Sequence, residues 1–321
     1  MENNIEQFGK GAVHKEDERD YTFGAELTLS YDWTKEIVFD VPIKVKDQNG
    51  SSSCVGQSSA TIAEISYYKK TGVMKDFSAR FFYSQISLGV GKGAYMRDGM
   101  DTLVKLGSAL ESDFDSDPET EEHMRDKTGI ESVLSLAKLY DIYGDSAYAI
   151  VANNIDSVAS AIRDSGSCMI GVRGSNDTWH TPDVKIGTGD WGHAICGVKP
   201  CRRNGIKAIK FINSWGESWG ENGYGYVNDD YFNNNGVMVV FVLTDNFIKP
   251  STIKAMEYLE KNDNKIVQNG VTGEIGIIKG GKVLLTTSER AGLLALTHII
   301  RNGGGGAVPA ELWAEFPKEN F

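Results

Sequence analysis

Apolar positions along this chain change their period about half way. In the first half they recur at helical spacing. Ile62, Ile65 and Tyr68 share one face of a stretch without Gly or Pro after Gly56, so a helix is expected over 54–71, ended by Gly72. Further helices are expected near 78–88, 96–106 and 155–163, and at 130–139, where Ile130, Val133, Leu134 and Ala137 share a face. From residue 168 the apolar residues alternate instead. Strands are expected at 168–173, 194–198, 208–213, 223–227 and 237–243, with Gly and Asn in the turns between them. Residues 1–30 read as a polar extended arm, 38–43 as a short strand, 48–53 as a turn rich in Asn, Gly and Ser, and 111–122 as an acidic loop. Helices first and strands second predict an α+β fold of two facing lobes, one helical and one β-rich.

The last 70 or so residues carry a pattern of their own. A helix is expected over 252–261, then a hairpin of 275–278 with 283–286 around Gly280-Gly281, then a helix from the capping Ser288 to Arg301, stopped by Gly303 to Gly306. Charge changes at the same place. Residues 250–321 are electrically balanced, so the whole net charge of −11 lies in the first 249. The expected organisation is therefore an arm (1–30), a main domain (31–248) and an accessory helix–hairpin–helix segment (250–321), a candidate docking module for a protein partner. A pI near 5.0 argues against a nucleic-acid partner. No apolar run approaches a bilayer span, and the opening Met-Glu-Asn-Asn-Ile-Glu-Gln has neither the basic nor the apolar region of a secretion signal. Four cysteines, none in a C-x-x-C pair, are too few for a disulfide scaffold and give no zinc motif. Asp113, Asp115 and Asp117 begin like a calcium loop, but Pro118 stands where the turn needs Gly and Met124 where the last ligand belongs, so a solvated acidic loop is expected. Gly89, Gly91 and Gly93 lack the Gly-Lys-Ser/Thr ending of a phosphate loop and read as a substrate-binding loop. Neither metal nor organic cofactor is expected.

Three separated segments supply the parts of a nucleophilic acyl-transfer site. Cys54, at the predicted start of a helix, is the thiol; the helix N-terminus and a neighbouring imidazolium would lower its pKa. His193 is the base and later the acid, with His180 as the rival. Asn213 accepts the second imidazole N–H, and Trp215 and Trp219 cover that bond. Gln48, with the Cys54 backbone N–H, is the oxyanion donor. Taken singly, each has a plainer reading: a packed thiol, a core histidine, a turn asparagine, a turn glutamine. Taken together and in this order, they form one site.

These segments resemble the papain family of cysteine peptidases. The run N-S-W-G-E-S-W-G-E-N-G-Y at 213–224 is the most specific match, and the Gln48-to-Cys54 spacing, the small residue after His193 and the order Cys, His, Asn agree with it. The likeness spans about 35–245. The stretch around Met96-Arg97-Asp98-Gly99, with Glu18-Arg19-Asp20-Tyr21, resembles bacterial and viral members more than plant or lysosomal ones. The resemblance implies a two-lobed papain-like fold and cysteine-dependent hydrolysis of polypeptides, by an endopeptidase, through a Cys54–His193–Asn213 triad and a thioester. It also implies that Gly93 and Ala94 bond the substrate backbone, that Ala194 floors the main specificity pocket, and that Trp215 lies among the substrate-binding residues. The chain departs from the family at Ser51, where a disulfide cysteine stands in many members, at Ser52 in place of glycine, at Val55 in place of an aromatic residue, and at Gly192 in place of Asp. These departures leave open a papain-fold protein kept for binding or assembly, such as a phage structural component. Only about 50 residues precede Cys54, so control by removal of a long pro-segment is not expected.

Overall fold

The segment that begins at Cys54 becomes the central helix of the helical lobe. The computed structural model describes residues 11–17, 21–23, 31–35, 37–141, 147–244, 247–248, 264–268, 275–279 and 282–287. In it α1 spans Cys54–Thr71, and every residue from Cys54 to Ile65 is buried. Small residues let its neighbours approach closely: a Cβ on Gly56 would lie 2.7 Å from the Tyr83 Cβ, and one on Gly99 the same distance from a Val55 methyl. Gly72 ends the helix in the left-handed conformation, its N–H bonded to the Tyr68 carbonyl. Against α1 pack α2 (Ala79–Ile86), capped by the Ser78 hydroxyl, and α3 (Met96–Leu106); α4 (Glu121–Arg125) packs on α2, and α5 (Ile130–Ala137) adds Ile130 and Val133 to the same core. Two more helices, α6 (Ile155–Ser165), capped by Asn154, and α7 (Asp229–Asn233), belong to the sheet half. Among the described residues no helix is long and apolar enough to cross a membrane.

The alternating second half forms the sheet. Its strands are β2 (Tyr21–Phe23), β4 (Ala147–Val151), β5 (Cys168–Gly174), β6 (Trp191–Arg203), β7 (Ile206–Ile212), β8 (Tyr224–Asn228), β9 (Val237–Thr244) and the two-residue β10 (Phe247–Ile248), in the order β10-β2-β4-β9-β5-β6-β7-β8. All neighbours from β4 to β8 are antiparallel. A short parallel pair, β1 (Ala12–Val13) with β3 (Ala94–Tyr95), lies apart from it. Alternation divides the sheet's side chains between two cores. Ala194, Cys196 and Val198 of β6 join the helical lobe's core, whereas Ile195 joins a second core with α6 and the buried tryptophans Trp179, Trp215 and Trp219. This mixture of a helical lobe and an antiparallel sheet lobe is the expected α+β class.

Local expectations fail where partners decide. Residues 38–43 form no strand: the Ile43 N–H turns back onto the Val41 carbonyl at 2.8 Å, and Val38 is 77% exposed. Pro42 lacks a donor there, and pairing begins only at the isolated bridge of Asp47 with Trp215. Strand β4 was not anticipated; it exists because β9 offers it an edge. Residues 111–122 are not simply a solvated loop, since α4 begins at Glu121 and Glu119 is largely buried.

The chain divides into two compact units, Met1–Phe247 and Ile248–Phe321. The described part of the second is an antiparallel sheet of β11 (Asn264–Gln268), β12 (Ile275–Lys279) and β13 (Lys282–Thr287), with Lys279 opposite Lys282 at the hairpin end. The helices expected at 252–261 and 288–301 lie outside the described residues.

Candidate active site

Cys54 is the first residue of α1 and is 0% exposed. The backbone amides of Ala194 and Gly11 are near enough to favour its thiolate, so the helix start lies close to the segment that carries His193. Burial nevertheless pushes the thiol up to about 11, outweighing those donors. This reverses the expectation of a lowered pKa. The helix N-terminus supplies the donors, but in this closed state desolvation of the thiolate dominates.

His193 is wholly buried and its Nε2 lies 2.8 Å from Asn213 Oδ1. The same oxygen accepts the Ser214 N–H at 2.9 Å. A backbone donor can face only the oxygen of the carboxamide, so Oδ1 is the acceptor and Nε2 carries the imidazole proton. The neutral ring therefore keeps its lone pair on Nδ1. Indoles enclose the pair: Trp215 stacks on the imidazole with centroids 4.8 Å apart, and Trp179 and Trp191 meet it edge-on. Excluding water strengthens the His193–Asn213 bond. Trp215 is itself fully buried; it packs against the base. The loop after β7 folds back through Asn213 N–H to the Gly223 carbonyl, and the Asn213 side chain is thereby held beside β6. His180, the rival base, is exposed.

Gln48 joins the two lobes. Its backbone N–H donates to the Ser214 carbonyl, its Oε1 accepts from the Ser214 hydroxyl at 2.6 Å, and its Nε2 donates to the Ser51 carbonyl at 2.6 Å. The structure thus connects Gln48 through Ser214 to Asn213 and His193, and it sets Cys54 near Ala194, the residue after His193.

The expected substrate edge is occupied by the chain itself. Gly11 N–H donates to the Gly192 carbonyl at 3.1 Å, and Ala94 N–H donates to the Gly11 carbonyl at 2.9 Å, which makes Ala12–Val13 a strand alongside Ala94–Tyr95. Gly93, at φ +67°, must be glycine on two counts, since a Cβ there would also overlap the Gly11 backbone. A Cβ on Gly192 would overlap the Ala12 carbonyl, so the loss of an acidic side chain at this position makes room for the arm. Farther along, the Arg97 guanidinium holds the Lys15 carbonyl at 2.6 Å. Sequence reading missed Gly11 and Ala12, because nothing local marks a polar arm as the occupant of a groove. Among the described residues no group of three or more His, Cys, Asp and Glu is placed to hold a metal ion.

Comparison with known proteins agrees with this geometry. A model of the papain family cysteine proteases matches residues 27–242, more than half of the chain. No curated protein matches the sequence. Among solved structures the fold is similar to xylellain, a cysteine protease from Xylella fastidiosa, at 22% identity and a TM-score of 0.63 over 74% of this chain and 97% of that one. It is also similar to bromelain from Ananas comosus in complex with the E64 inhibitor (19%, 0.51, 68% and 99%) and to procathepsin B S9 from Trypanosoma congolense (16%, 0.57, 75% and 87%). At such identities the structures speak for the fold, while the family model covers Gln48, Cys54, His193 and Asn213 alike. The chain belongs to the papain family of cysteine proteases and is a cysteine-type peptidase.

Proposed function

We propose that Cys54, His193, Asn213 and Gln48 are the working residues of this peptidase and that it cuts within polypeptide chains. His193 Nδ1 takes the Cys54 proton and the thiolate attacks the scissile carbonyl. The Cys54 N–H and Gln48 Nε2 hold the oxyanion. Collapse expels the amine, which takes the proton from His193, and leaves a thioester. Water, deprotonated by His193, then releases the acid and restores the thiol. The observation that carries this reading is the buried His193–Asn213 bond, whose direction leaves Nδ1 as the proton acceptor.

The same arm points to a latent enzyme. With Gly11 against the sulfur and on the groove edge, substrate and arm compete for one set of backbone groups. Peptide cleavage then requires the arm to leave. The test is labelling of the reduced protein by a peptidyl epoxysuccinate at pH 5–8, in full-length protein and after arm displacement. Cys54 is the expected adduct site, with a rate raised by displacement, abolished in His193→Ala and lowered about 100-fold in Asn213→Ala. No adduct after displacement sinks the catalytic assignment and returns the binding or assembly reading.

A further inference from the structure

The turn that carries Gln48 and Cys54 has no covalent tie, since all four cysteines are free. Its bonds within the turn are local: Ser51 N–H and hydroxyl both donate to the Gln48 carbonyl, and the Ser51 and Ser53 hydroxyls lie 2.7 Å apart. What grips it from the helical lobe is the segment after the acidic loop. Asn49 Nδ2 donates to the Pro118 carbonyl at 3.2 Å, Gln57 Nε2 to Glu119 Oε2 at 2.7 Å, and Ser52 N–H to Glu121 Oε2 at 2.7 Å. The second oxygen of Glu121 accepts the Tyr83 hydroxyl at 3.0 Å and the Gly91 N–H at 3.3 Å. The last bond is significant because Gly91 lies in the 89–93 loop that leads into the substrate edge.

One peptide group connects this carboxylate to the oxyanion donor. The Ser51–Ser52 peptide gives its N–H to Glu121 and its carbonyl to Gln48 Nε2. A charged acceptor on the N–H fixes the peptide plane and polarises the carbonyl, which in turn orients the Gln48 carboxamide. We propose that Glu121 is a positioning residue of the active site: through the Ser51–Ser52 peptide it aims the Gln48 amide at the oxyanion, and through Gly91 it ties the substrate edge to the same frame. The role rests on the peptidase reading above. The residues read from sequence as a solvated acidic loop thus end in a clamp on the catalytic turn.

The test is a double-mutant cycle on peptide cleavage in the Gly11→Val background, where a Cβ overlapping Ser52 and Gly93 unseats the arm, with Cys54 alkylation by iodoacetamide as a control that needs no oxyanion. Gln48→Ala is expected to lower kcat by about 10²–10³-fold. Glu121→Ala is expected to lower kcat by about tenfold or more, yet to have little further effect when Gln48→Ala is also present, while the alkylation rate stays at the value of Gly11→Val alone. Glu121→Gln keeps the shape but turns an amide toward three donors; it is expected to show a smaller loss with the same non-additivity, and it serves if the alanine variant does not fold. An unchanged kcat in both Glu121 variants, or losses that add fully to that of Gln48→Ala, overturns the role. A Gly11→Val protein with Gln48 and Glu121 intact that neither cleaves nor alkylates removes the peptidase reading, and this role with it.

Discussion

At Gly11 a missing side chain decides whether the site is open or shut. A Cβ there would lie 2.6 Å from the Ser52 carbonyl oxygen and 2.8 Å from the Gly93 Cα, so Gly11→Val cannot seat the arm. Burial holds the Cys54 thiol up near 11, although the Gly11 amide itself favours the thiolate. With the arm in place the thiolate fraction grows only as the pH rises toward that value. If the arm supplies most of that burial, its removal in Gly11→Val outweighs the loss of the Gly11 amide and the midpoint moves down, so iodoacetamide is expected to modify Cys54 at least tenfold faster at pH 7, with peptide cleavage rising in parallel. The measurement is the alkylation rate against pH for both proteins, and superimposable profiles would discard the arm as the cause. The four proposed working residues were readable from sequence because their chemistry and order are restrictive. Glu121 was not, because a glutamate in an acidic stretch looks solvated until the backbone N–H of Ser52 is placed against it.

Helix α1 illustrates what governs an element. Its ends are set locally, by Gly72 and by the turn before Cys54, and the expected 54–71 span matches Cys54–Thr71. Its interior is set by tertiary contact. Glu64 is 1% exposed, with Lys46 Nζ 2.7 Å from its Oε1 and the Phe77 N–H bonded to the same oxygen. Burial alone would lower the Lys46 pKa, but the carboxylates of Glu64 and Asp76 outweigh it and hold the ammonium charged. Burial pushes the Glu64 carboxyl up to about 7, with Lys46 pulling the other way. Lys46→Met removes that pull, so the folded state binds a proton that the unfolded chain releases above the ordinary 4.5. Stability linked to such a raised pKa is present at low pH and lost as pH rises. Between pH 5 and 8 the variant should therefore show a deficit against wild type that is level below about pH 7, where both folded proteins hold the Glu64 proton, and grows by about 1.4 kcal/mol per pH unit above it. Urea midpoints for both proteins across that range check it; a constant deficit would rule out Glu64 as its source. Elements without such local ends were the ones misread: 38–43 has strand composition but no partner, and β4 has a partner that lies nearly 90 residues away in β9.

At the scale of the whole molecule, the two hydrophobic cores found among the described residues lie within the first unit, in residues up to Leu243. A chain ended at Lys249 should remain folded and, in the Gly11→Val background, keep its epoxysuccinate labelling at Cys54. Insoluble truncated protein would show instead that 250–321 completes the core. The amino-acid sequence by itself determined the change from helices to strands, the ends of α1 and α3, the α+β class and the candidates for thiol, imidazole and two carboxamides. Those follow from short-range physics: periodicity, caps and turn residues act over a few positions, and reactive side chains are few. Only the tertiary structure decided that Gly11–Val13 fills the groove, that burial reverses the expected thiol pKa, and that Glu121 grips the catalytic turn. Each of these depends on groups tens of residues apart meeting at bonding distance, and on how much water that meeting removes.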